Sequence, residues 1–330
     1  MGIELDNPII LGASNLSTNL DNLKKAEELG VAAIVFKSLF EEQIQLETLQ
    51  LDAKLTEFND IQAEMLTTHP NLKFSGYDDY LYNVRKAKES LSIPVIASLN
   101  AINEETWIKY ARLLSETGVD GIELNFYNTP IDFNKTGKEI EDEQIEIVKA
   151  IKQNIAIPVS VKLSSDYTNS LNFIKRIDSI GVDAFVLFNS FFQPDIDIAK
   201  ESHINSFHFS QEGDYGKSLR YSGLLFDKIN ADICSSHGIF KGADVIKLIL
   251  SGASCVQVVS TLYKNGLTQI STIKKDLEKW MDLKNYQSID EFRGKLSDSK
   301  LINDSSVYKR AQYVDLLINS EKQTKLPVKK

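Results

Sequence analysis

Polar side chains that could take part in chemistry stand where several short apolar runs of this sequence end. Lys37, Asn125 and Lys162 each close such a run, and Asn189 follows another. Lysines and amides in these positions suit an anionic ligand that accepts several hydrogen bonds. They do not suit a divalent metal, which needs clustered His, Asp or Glu. The sequence therefore predicts an anion-binding site and no metal site.

Lys162 is the most informative of these residues. It ends the run that begins at Ile157, and an unpaired charge in such a buried position is costly. A salt-bridged or snorkelling lysine would explain it structurally. Lys37 at the equivalent place on another run favours a functional role for both.

Two loops late in the chain have the character of a phosphate cradle. His237-Gly238 follows one apolar run, and Val259-Ser260 follows the next. Backbone N–H groups in such loops, next to a helix start, converge on anions.

A repeated pattern predicts the elements that position these residues. A glycine follows an amphipathic segment and precedes a β-rich run at Gly30, Gly118 and Gly181, and more loosely at Gly252. The pattern indicates a helix ended by a glycine with left-handed geometry, followed by a buried strand. Eight such strands are predicted near Ile9, Ile34, Val95, Ile122, Val159, Val186, Ile233 and Val256.

Alternating strands and helices of this kind favour a parallel sheet buried on both faces. We expect an α/β fold, a (β/α)8 TIM barrel in which the polar strand ends share one mouth. An open doubly wound sheet is the alternative.

Insertions are predicted after the second and sixth strands, at 41–68 and 189–221, on the face where barrels build active sites. We expect both to be lid-like parts of a barrel domain at 1–296, with a C-terminal extension at 297–330.

Composition restricts the class of protein. The 330 residues carry a formal net charge of −9, with 42% hydrophobic residues and two cysteines. An acidic chain is not attracted to nucleic acid or to an anionic membrane, and no apolar run reaches the length of a membrane span. We expect a cytoplasmic protein without a disulfide framework.

Several motifs, taken in order, resemble those of dihydroorotate dehydrogenases, which are FMN flavoproteins on a (β/α)8 barrel. The resemblance covers roughly 3–296 and is closest to the soluble class of the family. The motifs are Asn7-Pro8-Ile9-Ile10-Leu11-Gly12-Ala13-Ser14, Lys37-Ser38, Glu123-Leu124-Asn125, Val161-Lys162-Leu163, Asn189-Ser190, Ser222-Gly223, Gly252-Ala253-Ser254, Val256-Gln257 and the segment 286–296.

The resemblance implies FMN as the cofactor and a role for each matching residue. A lysine at position 162 would lie near the N1/O2 edge of the flavin and stabilise the charge of the reduced ring. Family members usually have glycine where His237 stands, and often where Val259 stands. The implied ring contacts are Ala13, Ser14, Lys37, Ser38, Asn125 and Lys162, and the implied ribityl and phosphate contacts are Ser190, Ser222, Gly223, His237, Gly238, Val259 and Ser260.

The substrate side departs from the family pattern. Asn128 stands where the family has a cysteine or serine base, and an amide cannot act as a general base near neutrality. Thr129 could serve only after a shift of one residue, and His69 is the titratable group in the altered orotate loop. Together with Lys37 these are the candidate catalytic residues. Asn125, Asn189 and Ser190 are the candidate substrate contacts.

The main interpretation is an FMN-dependent oxidoreductase of the dihydroorotate dehydrogenase type in pyrimidine biosynthesis, with an altered substrate left open. One alternative is a phosphate-binding aldolase or isomerase that uses Lys162. Another is a flavin-binding electron-transfer or structural subunit without catalysis of its own. The resemblance also implies a homodimer that acts on a small molecule.

Overall fold

The computed structural model describes residues 1–45, 77–127, 129–189, 193–204, 208–301, 307–308 and 310–319. Eight parallel strands close into a barrel within these ranges, each pairing with the next and the last with the first. They are β1 (Ile9–Leu11), β2 (Ala33–Val35), β3 (Val95–Asn100), β4 (Gly121–Asn125), β5 (Val159–Leu163), β6 (Ala184–Leu187), β7 (Asp232–Ser236) and β8 (Cys255–Val258). All eight predicted strands are confirmed, and the ring closure rules out the open sheet.

Helices surround the barrel. They are α1 (Leu20–Glu28), α2 (Tyr77–Ser90), α3 (Glu104–Ser115), α4 (Gly137–Asn154), α5 (Ser170–Asp178), α6 (Gly216–Leu225), α7 (Gly242–Ser251), α8 (Ser260–Asn265), α9 (Gln269–Lys284) and α10 (Arg310–Ile318). Local sequence sets several helix starts. Thr136 and Glu139 form a capping box before α4, and Asn19 caps α1.

The repeated glycine pattern has the predicted conformation. Gly30, Gly118, Gly181 and Gly252 have positive φ angles of 93°, 85°, 90° and 132°. Two of the repeats share a further contact, because Asp120 and Asp183 each accept a hydrogen bond from the first residue of the neighbouring strand, Val95 or Val159, at 2.8 Å. Each aspartate also pairs with a lysine of a nearby helix. In the Gly-Val-Asp repeat, the glycine therefore ends a helix, and the aspartate connects the start of the next strand to the neighbouring strand.

The apolar core has two parts. The larger lies between the strands and the helices, where residues such as Trp107 and Phe173 are almost fully buried. The smaller fills one end of the barrel interior and includes Cys234 and Cys255, which are paired in register on adjacent strands. Apolar filling of this end leaves the polar interior residues to the opposite end.

The insertions differ in how far the structure describes them. After β2 come a two-residue strand (Leu39–Phe40) and a helical segment at 41–45, and the remainder of 41–68 lies outside the described residues. After β6, residues Asp195–Asp197 and Ser202–Ile204 form an antiparallel hairpin. The segment after position 296 packs on α6, where the ring of Tyr308 lies against Gly223.

None of the helices in the described ranges is long and apolar enough to span a bilayer. Nor do those ranges contain a group of three or more His, Cys, Asp or Glu residues placed to hold a metal ion.

Candidate active site

A cavity of about 850 Å³ opens at the carboxyl ends of the strands. This volume is within the range of sites for small molecules and cofactors. Its lining comes from the loops after most of the barrel strands, together with the loop that follows the hairpin. Ten residues predicted to contact a cofactor line it, namely Ala13, Ser14, Lys37, Ser38, Asn125, Lys162, His237, Gly238, Val259 and Ser260.

The floor of the cavity is a charged and hydrogen-bonded cluster inside the barrel. Lys162 Nζ lies 3.7 Å from Glu123 Oε1 and donates to Gln257 Oε1 at 3.3 Å. Gln257 Nε2 donates to the other carboxylate oxygen of Glu123 at 2.5 Å. The Glu123 side chain is fully buried and that of Lys162 is 12% exposed. Glu123 and Gln257 therefore fix the position of the Lys162 ammonium group, which lines the cavity.

An amide network forms a second wall. Asn125 Nδ2 donates to Ser38 Oγ at 3.3 Å, and Asn125 Oδ1 accepts a hydrogen bond from Asn189 Nδ2. Asn100 Nδ2 donates to the backbone oxygen of Asn125 at 2.7 Å. Because both ends of the Asn125 amide are engaged, its orientation is fixed before any ligand arrives.

Lys37 contrasts with Lys162. It lines the same cavity, yet no hydrogen bond or ion pair of its ammonium group occurs with any residue in the described ranges. Its backbone oxygen accepts from Tyr80 OH, and burial raises the pKa of that tyrosine well above its usual value. The backbone is therefore anchored while the cationic end stays available to an anion.

The opposite end of the cavity is built from hydroxyl and backbone groups. Ser210 Oγ accepts a hydrogen bond from Gly238 N at 3.1 Å and donates to Ser260 Oγ at 2.8 Å. Gly238 has a φ of 71°, and a Cβ there would lie 2.6 Å from Asp214. Glycine is required at 238 on both grounds.

His237 has a positive φ of 74°, a conformation that costs a non-glycine residue about 1–2 kcal/mol. Its Nε2 lies 3.7 Å from Asp214 Oδ2. Burial lowers the pKa of His237; Asp214 opposes this, while Lys217 and Lys162 reinforce it. The imidazole is thus predominantly neutral near pH 7.

Some predicted residues are placed elsewhere. Ser222 and Gly223 lie in the second half of α6 and are not part of the cavity lining. Ser222 is buried and hydrogen-bonds with Ser235, and Gly223 faces the ring of Tyr308. Thr129 is exposed and lines a separate cavity of about 240 Å³. His69, Asn128 and Ser190 lie outside the described residues.

Glu123 and Gln257 were not among the predicted site residues, nor were Ser210 and Asp214. A signal for Glu123 was present in the sequence, since it stands two positions before Asn125 and so faces the same side of its strand. Ser210 and Asp214 lie in the irregular part of the insertion, where no periodicity indicates direction.

This fold and this site define a class: a (β/α)8 barrel whose mouth presents Lys37 and Lys162 to one cavity. The family model described as dihydroorotate dehydrogenase matches residues 1–281, and the chain belongs to that family. The resemblance inferred from the motifs is thereby confirmed, together with the interpretation as a flavin oxidoreductase that acts on a CH–CH group.

Individual relatives agree with the family assignment. A protein of Thermoplasma volcanium is 29% identical over 299 residues, which cover 89% of this chain and 95% of the relative. One of Methanocaldococcus jannaschii is 27% identical over 277 residues, covering 80% and 86%. Each is named dihydroorotate dehydrogenase B (NAD(+)), catalytic subunit.

Proposed function

We propose that this chain binds FMN in the 850 Å³ cavity and uses it to oxidise dihydroorotate to orotate. The observation that carries the proposal is that Lys37, Asn125 and Lys162, from three different strand ends, line one cavity. Both the cofactor and the substrate are anions, and both require several directed hydrogen bonds. A cavity with two cations and fixed amides meets that need.

The donor groups of the cavity fit a flavin mononucleotide. Ser14 Oγ is buried at the cavity and has no hydrogen-bond partner among the residues that the structure describes, which is costly unless a ligand supplies one. Lys162 supplies a cation at one end for the ring, and the loops at Gly238 and Ser260 supply the other end for the phosphate. A bound flavin would supply the hydride acceptor for oxidation of the substrate carbon.

Each cavity wall has its own task in this proposal. Lys162, fixed by Glu123 and Gln257, stabilises the negative charge that gathers on the ring as it is reduced. Lys37, which is free of internal partners within the described ranges, attracts the carboxylate of the substrate. Asn125 and Asn189, already joined by a hydrogen bond, orient the substrate amides.

The proposed reaction also needs a group that accepts a proton from the substrate. Asn128 cannot accept the proton, and Thr129 is exposed at a different cavity. We therefore propose a second candidate function: a flavin oxidoreductase of the same type that acts on an altered substrate or turns over dihydroorotate slowly.

The aldolase and isomerase alternative is weakened by the cavity floor. A Schiff-base lysine needs a free amine to attack a carbonyl carbon. The ammonium of Lys162 is ion-paired with a buried carboxylate and hydrogen-bonded to Gln257. This environment supports electrostatic stabilisation rather than nucleophilic attack.

The proposal extends to partners and location. The relatives are named as catalytic subunits of NAD(+)-linked enzymes, so we propose that a second subunit carries electrons onward from this one. We further propose a homodimer in the cytoplasm, with 1–296 as the flavin-binding barrel and 297–330 as an extension. Mass measurement of the purified protein at several concentrations tests the dimer.

The test of function is anaerobic mixing of the FMN-loaded protein with dihydroorotate. We expect the oxidised flavin absorbance to bleach and orotate to form in equal amount. Lys37→Met is the matched variant: it should bind FMN, but dihydroorotate at the same concentration should reduce its flavin more slowly than that of the wild type. A yellow protein that dihydroorotate does not bleach would favour the second candidate, and a protein that binds no flavin would refute both.

A further inference from the structure

His237 occupies an unusual position for a residue with a titratable side chain. It lines the cavity directly after β7, in a left-handed conformation with a φ of 74°. Glycine would adopt this conformation without strain. The chain therefore retains an imidazole at the anion-binding end of the cavity at an energetic cost.

The charges around the imidazole favour a response to an added anion. Among the described residues, the charged groups that face it are Asp214 from the loop before α6, Lys217 on α6 and Lys162 on β5. Asp214 Oδ2 lies 3.7 Å from Nε2 and also accepts a hydrogen bond from Gln211 N. A phosphate beside His237 would add a second anion to the same ring.

The nearby lysines are already engaged. Lys217 Nζ donates to Ser165 Oγ at 2.9 Å, and Lys264 Nζ donates to the backbone oxygen of Ser210 at 3.0 Å. Lys162 is held by the buried cluster on the floor. His237, by contrast, carries an imidazole, whose charge can change near neutral pH when an anion arrives.

We propose that His237 takes up a proton when the phosphate of FMN binds, so that the affinity for the cofactor increases as the pH falls. The inference rests on the proposed FMN site and adds to it a pH-dependent ion pair between His237 and the phosphate. A glycine at position 237 could not form this ion pair. Burial lowers the pKa of the free imidazole, and the phosphate together with Asp214 raises it in the complex. The direction of the linkage follows from that difference.

The test is FMN binding measured by calorimetry between pH 6 and 8, in buffers of different ionisation enthalpy. The matched variant is His237→Asn, because asparagine tolerates the left-handed backbone and does not titrate. Riboflavin, which lacks the phosphate, is the matched ligand. The FMN phosphate also titrates in this pH range, and this effect cancels when wild type and variant are compared because it is common to both.

We expect the wild-type affinity for FMN to rise, relative to that of His237→Asn, by about tenfold from pH 8 to pH 6. Wild-type protein should also take up a fraction of a proton near pH 7 that the variant does not. Riboflavin binding should show neither difference. Equal pH dependence in wild type and variant would overturn the inference while leaving FMN binding intact. A failure of wild-type protein to bind FMN at any pH would overturn the inference and the proposed function together.

Discussion

Replacing Lys162 by methionine tests the cavity floor, because the change removes the charge and keeps most of the volume. Glu123 would then be a buried carboxylate without its ion-pair partner. At 3.7 Å, and with an effective dielectric constant of about 20, the lost attraction is about 4.5 kcal/mol. Breaking a buried pair by removing one partner costs about 3–5 kcal/mol in general.

Protonation of the lone carboxylate sets an upper limit on this cost. A glutamate has an ordinary pKa of about 4.3, so taking up a proton at pH 7 costs about 3.7 kcal/mol, and at pH 5 about 1 kcal/mol. We therefore expect Lys162→Met to lower the free energy of unfolding by about 3–3.7 kcal/mol at pH 7. The loss should shrink to about 1 kcal/mol at pH 5.

The assay is urea-induced unfolding of the flavin-free protein, followed by tryptophan fluorescence at both pH values. Lys37→Met is the matched control. It makes the same chemical change in the same cavity but breaks no ion pair in the described ranges, so its effect should stay within about 0.5 kcal/mol. The double variant Glu123→Gln/Lys162→Met should recover most of the loss, since no charge is then buried. Equal, pH-independent effects of the two lysine variants would refute the ion pair and its role in positioning Lys162.

Three further predictions concern other parts of the molecule. Gly223→Ala should destabilise the protein by about 1–3 kcal/mol, because the new Cβ would lie 2.3 Å from the Tyr308 ring; Tyr308→Ala in the same chain should restore the melting temperature. Burial raises the pKa of Glu27, but hydrogen bonds from Ser92 and from the next backbone N–H outweigh it and lower the pKa. The stabilisation of the fold by Glu27 is therefore present above about pH 4.3 and is lost as the pH falls through the lowered pKa. Glu27→Gln should accordingly flatten the acid side of a stability–pH curve, and an unchanged curve would contradict this. Asn128→Cys alone should not give full dihydroorotate turnover, since the segment around His69, which stands where the family has its orotate loop, also departs from the family pattern. Fast turnover by that variant would show that this segment matters less than we infer.

The barrel could be predicted from sequence because its signals are local and repeated. The glycines at 118 and 181 mark the helix ends, and the apolar runs after them are short enough to indicate buried strands. Polar residues at or just after the carboxyl ends of the strands are then expected to face the mouth of the barrel. Lys37, Asn125 and Lys162 were identified in this way.

The remainder of the site depends on contacts between distant parts of the chain. Glu123 and Gln257 are 134 residues apart, and only the closed ring brings their side chains together. Ser210 and Asp214 belong to a loop whose direction is set by contacts with Gly238 and Ser260. The second half of α6 was expected at the cofactor because Ser222-Gly223 matches a family motif, but a motif match does not reveal which face of a helix meets the cavity.

Binding of FMN at the mouth of the barrel is tested by the absorbance spectrum of the purified protein, recorded before and after addition of FMN. We predict flavin bands that coelute with the protein, a released cofactor with the mass of FMN, and weaker binding of FMN by Lys162→Met than by wild type. A correctly folded protein that stays colourless after FMN is added would contradict this prediction.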